Sequence, residues 1–239
     1  MEAHENSKIP QNAQPVLSLR DCLLYNIDRI SYTEALALQH DLHDKAAAHE
    51  IPGILMLLEH DPVITIGVKA SANNNVLVSM DILNKHGVSL VETDRGGDVT
   101  YHGPGQLVGY LIVRLREQGG DLHGYLRSLE QCIIGVLDEF GLKGGRNGPA
   151  GVWVGDKKVC SIGVAVRKWV TYHGFALNVN PNMSHFHLIN PCGLASEQIT
   201  SMSELLGYIP DMNDVRDACA RSFAKNFNRK FIDWNGEPK

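Results

Sequence analysis

The most unusual stretch of the sequence is a glycine-rich segment from Arg95 to Gln106, which also contains tyrosine and histidine. Glycines let a ligand approach the backbone closely and expose amide N–H groups to it. Thr100 and His102, together with the two end residues, can orient a bound molecule. A surface loop between strands is the alternative interpretation, but the apolar strand that follows directly favours a binding role. The segment is no phosphate loop, because Gly-Lys-Ser/Thr is absent, and Val108 occupies the third glycine position of the dinucleotide-binding pattern.

Five cysteines supply a second candidate chemistry, nucleophilic attack by a thiolate. They include no C-x-x-C pair and do not resemble a disulfide framework. Cys132 and Cys219 lie in predicted helices with apolar neighbours, and Cys22 begins an apolar run. We expect these three to be small core residues.

Cys160 and Cys192 are the candidate nucleophiles. Cys160 is predicted to share one face of a strand with Lys158, a cation that could lower the pKa of the thiol. Cys192 lies in the turn-forming sequence NPCG, where a thiol can be exposed beside free backbone amides. Spacing alone leaves both cysteines open, with Cys192 preferred.

The eleven histidines raise the question of a metal site. His40 and His43 share a face of a predicted helix, which we expect to be polar and solvated. His185 and His187 alternate around a phenylalanine, as in a half-exposed strand or loop. Neither pair has a third ligand at metal-binding spacing, and H-E-x-x-H is absent, so no metal is predicted. His173, which precedes a glycine, fits a core position and a site position equally well.

Composition excludes several classes of protein. The chain has 239 residues and a formal net charge of −5, from 22 Lys+Arg and 27 Asp+Glu. This balance argues against a nucleic-acid binder, which normally shows a basic stripe. No apolar run approaches the roughly 20 residues that span a bilayer, and the first residues resemble neither a signal nor a transit peptide. We therefore expect a cytoplasmic protein with no membrane or nucleic-acid partner.

Apolar periodicity predicts one domain of alternating strands and helices, a mixed α/β (α+β) fold with helices mainly on one side of the sheet. Strands are expected at 22–27, 53–58, 63–68, 88–92, 107–115, 151–154, 158–166 and 170–179. Helices are expected after a capping box that begins at Ser31, over 80–85, 122–140 and 214–227, and briefly after Ser201. The polar residues 1–17 are predicted to be a disordered arm, 18–234 the domain and 235–239 a tail.

The chain resembles the lipoyl(octanoyl) transferase family from about Cys22 to Leu206. The resemblance rests on the glycine-rich segment and on three later segments, in the family's order and spacing: KVCSIG, HGFALN and NPCG. It implies the fold of biotin and lipoate protein ligases. It also implies an acyltransferase that moves an octanoyl group from octanoyl-acyl carrier protein to a lysine of a lipoyl domain, in 2-oxoacid dehydrogenase complexes or the glycine cleavage H protein.

The resemblance also implies roles for individual residues. Cys192 matches the family's acyl-thioester nucleophile, and Lys158 matches the lysine that pairs with it. The implied substrate-binding residues are Arg95, Gly96, Gly97, Asp98, Val99, Thr100, Tyr101, His102, Ser161, Ile162, Gly163, Gly174, Phe175 and Ala176. His173 and Gln106 are added as supporting residues, and no cofactor is implied.

The expected chemistry follows from the thioester donor. Attack by a thiolate exchanges one thioester for another at nearly equal energy, so no ATP is needed. Lys158 would stabilise the thiolate as a cation or accept its proton, and a neutral Lys158 could then deprotonate the acceptor lysine. The eight-carbon chain requires an apolar tunnel, which the strands at 53–58 and 63–68 are expected to line.

Three rival functions remain. An ATP-dependent lipoate protein ligase would need an adenylate-binding site and no nucleophilic cysteine. A cysteine thioester hydrolase would need a histidine, such as His102 or His173, to activate the thiol. A non-catalytic acyl-binding module would form no covalent adduct.

Overall fold

A computed structural model describes residues 18, 20–69, 72–191 and 196–235. The predicted arm at 1–17, most of the predicted tail and the candidate nucleophile Cys192 lie outside these residues. Within them, no helix is long and apolar enough to cross a membrane.

The described residues form eleven strands and five α-helices. The strands are β1 (Asp21–Ile30), β2 (Ile54–His60), β3 (Val63–Ile66), β4 (Ser89–Glu92), β5 (Val99–His102), β6 (Gln106–Ile112), β7 (Gly144–Gly145), β8 (Gly151–Val154), β9 (Lys157–Arg167), β10 (Val170–Asn178) and β11 (Lys230–Asp233). The helices are α1 (Tyr32–Ala47), α2 (Met80–Lys85), α3 (Leu122–Glu139), α4 (Met202–Leu206) and α5 (Met212–Asn226).

Two sheets organise these elements. The large sheet has the order β11-β1-β2-β6-β10-β9-β8-β7, and the small sheet has the order β4-β3-β5. β1 is parallel to both of its neighbours, β11 and β2. The other neighbouring pairs of this sheet are antiparallel: β2–β6, β6–β10, β10–β9, β9–β8 and β8–β7. The long hairpin of β9 and β10 pairs Gly174 with Gly163 and Ala176 with Ser161. The segments KVCSIG and HGFALN therefore lie side by side.

Helices lie on both faces of the large sheet, two long ones on one face and one on the other. On one face, α3 and α5 bury an apolar cluster against β6, β9 and β10. On the other face, α1 packs Ala35, Leu42 and Ala46 against β2, β6 and β10. Ser31 caps α1 as predicted, because its hydroxyl accepts a hydrogen bond from the backbone N–H of Glu34.

The apolar runs at 53–58 and 63–68 are buried strands as predicted, and they belong to different sheets. Two structural expectations need correction. The glycine-rich segment is not a plain loop, because β5 lies inside it and is buried along its whole length. The last strand, β11, was missed; it pairs with β1 at the edge of the large sheet.

Candidate active site

A cleft lies between the glycine-rich segment and the β9–β10 hairpin. Most of the implied substrate-binding residues line it. The lining residues are Tyr32, Arg95, Gly96, Gly97, Thr100, His102, Tyr110, Ser161, Ile162, Gly163, His173, Gly174, Phe175 and Ala176. Neither of the strands expected to form an apolar tunnel, at 53–58 and 63–68, contributes a residue, so that expectation was wrong.

Contacts of the glycine-rich segment with β3 and β9 fix one side of the cleft. Arg95 is buried, and its guanidinium donates to the carbonyl oxygen and hydroxyl of Thr65, at 2.8 and 2.9 Å. The N–H of Gly96 donates to the carbonyl oxygen of Val164 at 2.9 Å. A Cβ on Gly163 would lie only 2.8 Å from the Gly96 carbonyl oxygen. Glycine at 163 therefore permits the close approach that forms this wall.

Three of the implied substrate-binding residues do not line the cleft. The Asp98 carboxylate pairs with Lys69 at 2.8 Å. Val99 and Tyr101 belong to the apolar cluster of the small sheet, where the Tyr101 hydroxyl lies 2.8 Å from Nδ1 of His185. Successive side chains of a strand point to opposite faces. Along β5, Thr100 and His102 therefore face the cleft, whereas Val99 and Tyr101 face the small-sheet cluster.

Buried histidines and tyrosines pack together beside the cleft, where Tyr110 and His102 line it and His60 contacts both of them. His60 Nδ1 donates to the carbonyl oxygen of Ile30 at 2.9 Å, and its Nε2 accepts from the Tyr110 hydroxyl at 2.7 Å. Burial lowers the pKa of His60 to about 4. The His102 ring lies 2.7 Å from Oε1 of Gln106, and burial, with His60 nearby, holds its pKa well below the usual 6.5. The rings of His60 and His102 are therefore neutral at neutral pH.

His173 is a cleft residue with unusual backbone geometry. It has φ +57° in the middle of β10, a region that non-glycine residues rarely adopt. Its N–H donates to Gln39, and its Nε2 lies 2.8 Å from the Asp94 carboxylate. Burial lowers its pKa, although Asp94 opposes the shift. Strain of this kind is common at functional sites, which favours the site interpretation over the plain core interpretation.

Lys158 lies near the start of β9, and only 1% of it is exposed. Its Nζ lies 5.8 Å from the centre of the Trp153 ring. The backbone N–H of Thr200 donates to the Lys158 carbonyl oxygen at 3.0 Å. The chain that follows Cys192 thus returns to pair directly with Lys158.

The four cysteines in the described part of the chain are all buried and free. Cys22, Cys132 and Cys219 belong to the large apolar cluster, which confirms the core prediction. Cys160 lies in the same cluster, and burial raises its pKa to about 12 although Lys158 lowers it. A thiol with this pKa is protonated at neutral pH and is a poor nucleophile.

The predicted surroundings of His43, His185 and His187 were wrong. His43 is not solvated: it is fully buried, with Nε2 2.9 Å from the Arg167 carbonyl oxygen. His185 and His187 lie in a short 3₁₀ helix at Met183–Leu188, where His185 is buried. Among the residues that the structure describes, no three His, Cys, Asp or Glu side chains group as metal ligands.

Sequence reasoning missed several groups of the site. Tyr32 and Tyr110 line the cleft, and Asp94 and Gln39 hold His173. Tyr110 could have been found, since it follows the glycine-rich segment in the apolar strand. Nothing local distinguishes Gln39, because its role depends on how α1 packs against β10.

The comparisons with known proteins agree with this geometry. The chain matches the family described as the lipoyl protein ligase A/B catalytic domain over residues 31–224. An octanoyltransferase from Clostridium kluyveri is 44% identical over 216 residues, covering 90% of this chain and 92% of the relative. An octanoyltransferase from Caldicellulosiruptor saccharolyticus is 45% identical over 208 residues, covering 86% and 88%.

Two solved structures share the fold. Ta0514 from T. acidophilum, a proposed lipoate protein ligase with bound lipoic acid, aligns with a TM-score of 0.72 at 19% identity, over 90% of this chain and 89% of that one. Biotin protein ligase from Aquifex aeolicus, in complex with biotin and ATP, aligns with a TM-score of 0.53 at 13% identity, over 87% and 71%. These alignments confirm the predicted fold class. The chain belongs to the lipoyl protein ligase A/B catalytic domain family and, within it, to the octanoyltransferases, which are acyltransferases.

Proposed function

We propose that this chain transfers an octanoyl group from octanoyl-acyl carrier protein to a lysine of lipoyl domains, through a thioester on Cys192 assisted by Lys158. The observation that best supports the proposal is the single cleft lined by the three implied binding segments: the glycine-rich segment, Ser161–Gly163 and Gly174–Ala176. Lys158 lies on the same strand as the second of these segments.

The first half-reaction is a thioester exchange. The Cys192 thiolate attacks the octanoyl carbonyl, and a tetrahedral intermediate forms. The carbon–sulfur bond to the carrier protein breaks, and Cys192 holds the octanoyl group. The carrier thiolate takes a proton from the Lys158 ammonium and leaves as a thiol, so Lys158 is left as a neutral amine. A cation near the sulfur favours the thiolate, which is the role proposed for Lys158.

The second half-reaction forms the product amide. The ε-amine of the acceptor lysine attacks the Cys192 thioester, loses a proton to a base and expels the Cys192 thiolate. Lys158 in its neutral form is the proposed base. Octanoyl binding would use the apolar lining of the cleft, since each buried methylene contributes about 0.8 kcal/mol.

Intact-mass analysis after incubation with octanoyl-acyl carrier protein tests the proposal. We expect one octanoyl adduct on the wild-type chain and on Cys160→Ala, and none on Cys192→Ala. Addition of a lipoyl domain should move the adduct to that domain without ATP. An adduct that survives Cys192→Ala would contradict the proposed nucleophile. Release of free octanoate at the same rate with and without lipoyl domain would instead indicate a hydrolase.

A further inference from the structure

Glu130 is a buried carboxylate on α3 that the proposed chemistry does not use. It is 5% exposed, and its Oε2 accepts hydrogen bonds from Arg127 and Arg146, both at 2.8 Å. Its Oε1 accepts from the backbone N–H of Gly151 at 3.4 Å. Burial of a carboxylate is costly unless donors surround it, and here they come from three parts of the chain. Glu130 thereby ties α3 to the first residue of β8.

Gly151 is shaped to admit the Lys158 side chain. Its backbone has φ +138°, a conformation that residues other than glycine rarely adopt. A Cβ at this position would lie 2.6 Å from Cε of Lys158 and would also collide with the Cys160 carbonyl oxygen. The Lys158 stem therefore runs through space that any other residue at 151 would fill, and a small shift of Gly151 changes that space.

Glu130 binds Arg146 and Gly151, and the segment between these two residues holds the Trp153 ring that lies beside Lys158. Trp153 Nε1 donates to the carbonyl oxygen of Pro149 at 3.2 Å, so this segment holds the indole ring. The same ring lies beneath Lys158 Nζ. Contacts that start at Glu130 thus fix both the backbone and the ring beside Lys158.

We propose that Glu130 is a positioning residue for Lys158. It holds Gly151 and the segment from Arg146 onward in place, so that the Lys158 stem keeps one path toward the reacting sulfur. This inference rests on the proposed role of Lys158. A displacement of about 1 Å at a catalytic group can cost roughly 100-fold in rate, so partial loosening should cost less than that.

Glu130→Gln tests the inference with little change in volume. In Glu130 the two arginines bind Oε2 and Gly151 binds Oε1, whereas in glutamine one of these two positions becomes an amide nitrogen, which only donates. We expect the single-turnover rate of octanoyl-adduct formation, followed by intact mass, to fall on the order of tenfold. Glu139→Gln is the matched control, the same change on the same helix at an exposed ion pair with Arg221. It should leave the rate unchanged.

A double variant separates positioning from a general structural role. If Glu130 acts through Lys158, Glu130→Gln should cause no further loss in the Lys158→Ala background. If the two losses multiply, or if Glu130→Gln reacts at the wild-type rate while Lys158→Ala is slow, this inference alone is overturned. If Lys158→Ala reacts at the wild-type rate, the proposed role of Lys158 fails, and the role of Glu130 fails with it.

Discussion

The two halves of β9 differ in a way that separates chemistry from binding. Near its start, Lys158 is a buried amine with the Trp153 ring beneath it, close to the carboxylate-held Gly151. Further along, Ser161–Gly163 lines the cleft beside uncharged backbone and the neutral rings of His102 and His173. One end of the strand buries an amine, and the other end lines the cleft with uncharged groups.

This difference matches the two requirements of acyl transfer. An alkyl chain binds best where no charge must be desolvated, whereas a thiolate needs a cation nearby. Arg95 is the exception, because it is a charged residue in the cleft wall. Its guanidinium is used in hydrogen bonds to Thr65, so its charge is held within the wall.

Replacement of Lys158, near the start of β9, should have the largest effect on the rate of acyl transfer. We expect Lys158→Ala to slow formation of the octanoyl adduct roughly 100- to 10,000-fold, the usual contribution of an acid–base group. Lys157→Ala, at the exposed neighbouring position, should change the rate less than about twofold. Single-turnover intact-mass kinetics measure both rates. Equal rates for the two variants would remove the distinction between the halves of β9.

Acid should destabilise the fold through His60, which packs against the cleft residues Tyr110 and His102. The pKa of His60 is lowered to about 4 from the usual 6.5, because the ring is buried. Below pH 6.5 the unfolded chain therefore binds a proton that the folded chain does not. The contribution of this neutral ring to the free energy of unfolding is complete above pH 6.5 and is lost as the pH falls toward 4. The loss at pH 5 should be about 2 kcal/mol from this ring.

Urea unfolding of wild type and His60→Gln at pH 7.5 and pH 5 measures that loss. The variant should be less stable at pH 7.5, because the hydrogen bonds to Ile30 and Tyr110 are altered. Its further loss between the two pH values should be smaller than in wild type by about 2 kcal/mol. Parallel losses in the two proteins would show that His60 is not the titrating group.

Much of the fold could be predicted because its signals are local. Ser31 and the apolar spacing after it predicted α1, and Gly141, with φ +78°, ends α3 where predicted. Pairing partners are not local, so the separation of β2 and β3 into two sheets could not be read from adjacent apolar runs. β5 was missed because it is four residues long, buried on both faces and flanked by glycines, which removes the alternation typical of strands.

The site was predictable to a different extent. The segments that line the cleft were found through a resemblance, since spacing alone left Cys160 and Cys192 both open. Burial then distinguishes Cys160, whose pKa is raised to about 12. The contacts of Glu130 with Arg146 and Gly151 join α3 to β8 across the sequence, and no periodicity reveals such a contact.

The smallest expected effect concerns chain length at the binding end. Ala176 lines the cleft, and Ala176→Val adds two carbon atoms to its wall. Because each methylene in an apolar pocket is worth about 1–3 kcal/mol of discrimination, the preference for octanoyl over hexanoyl carrier protein should fall about tenfold. Ala165→Val, on the neighbouring strand outside the cleft, is the control. The ratio of kcat/KM for the two donors measures the preference. If both variants leave that ratio at the wild-type value, the neutral half of the β9–β10 hairpin does not hold the acyl chain.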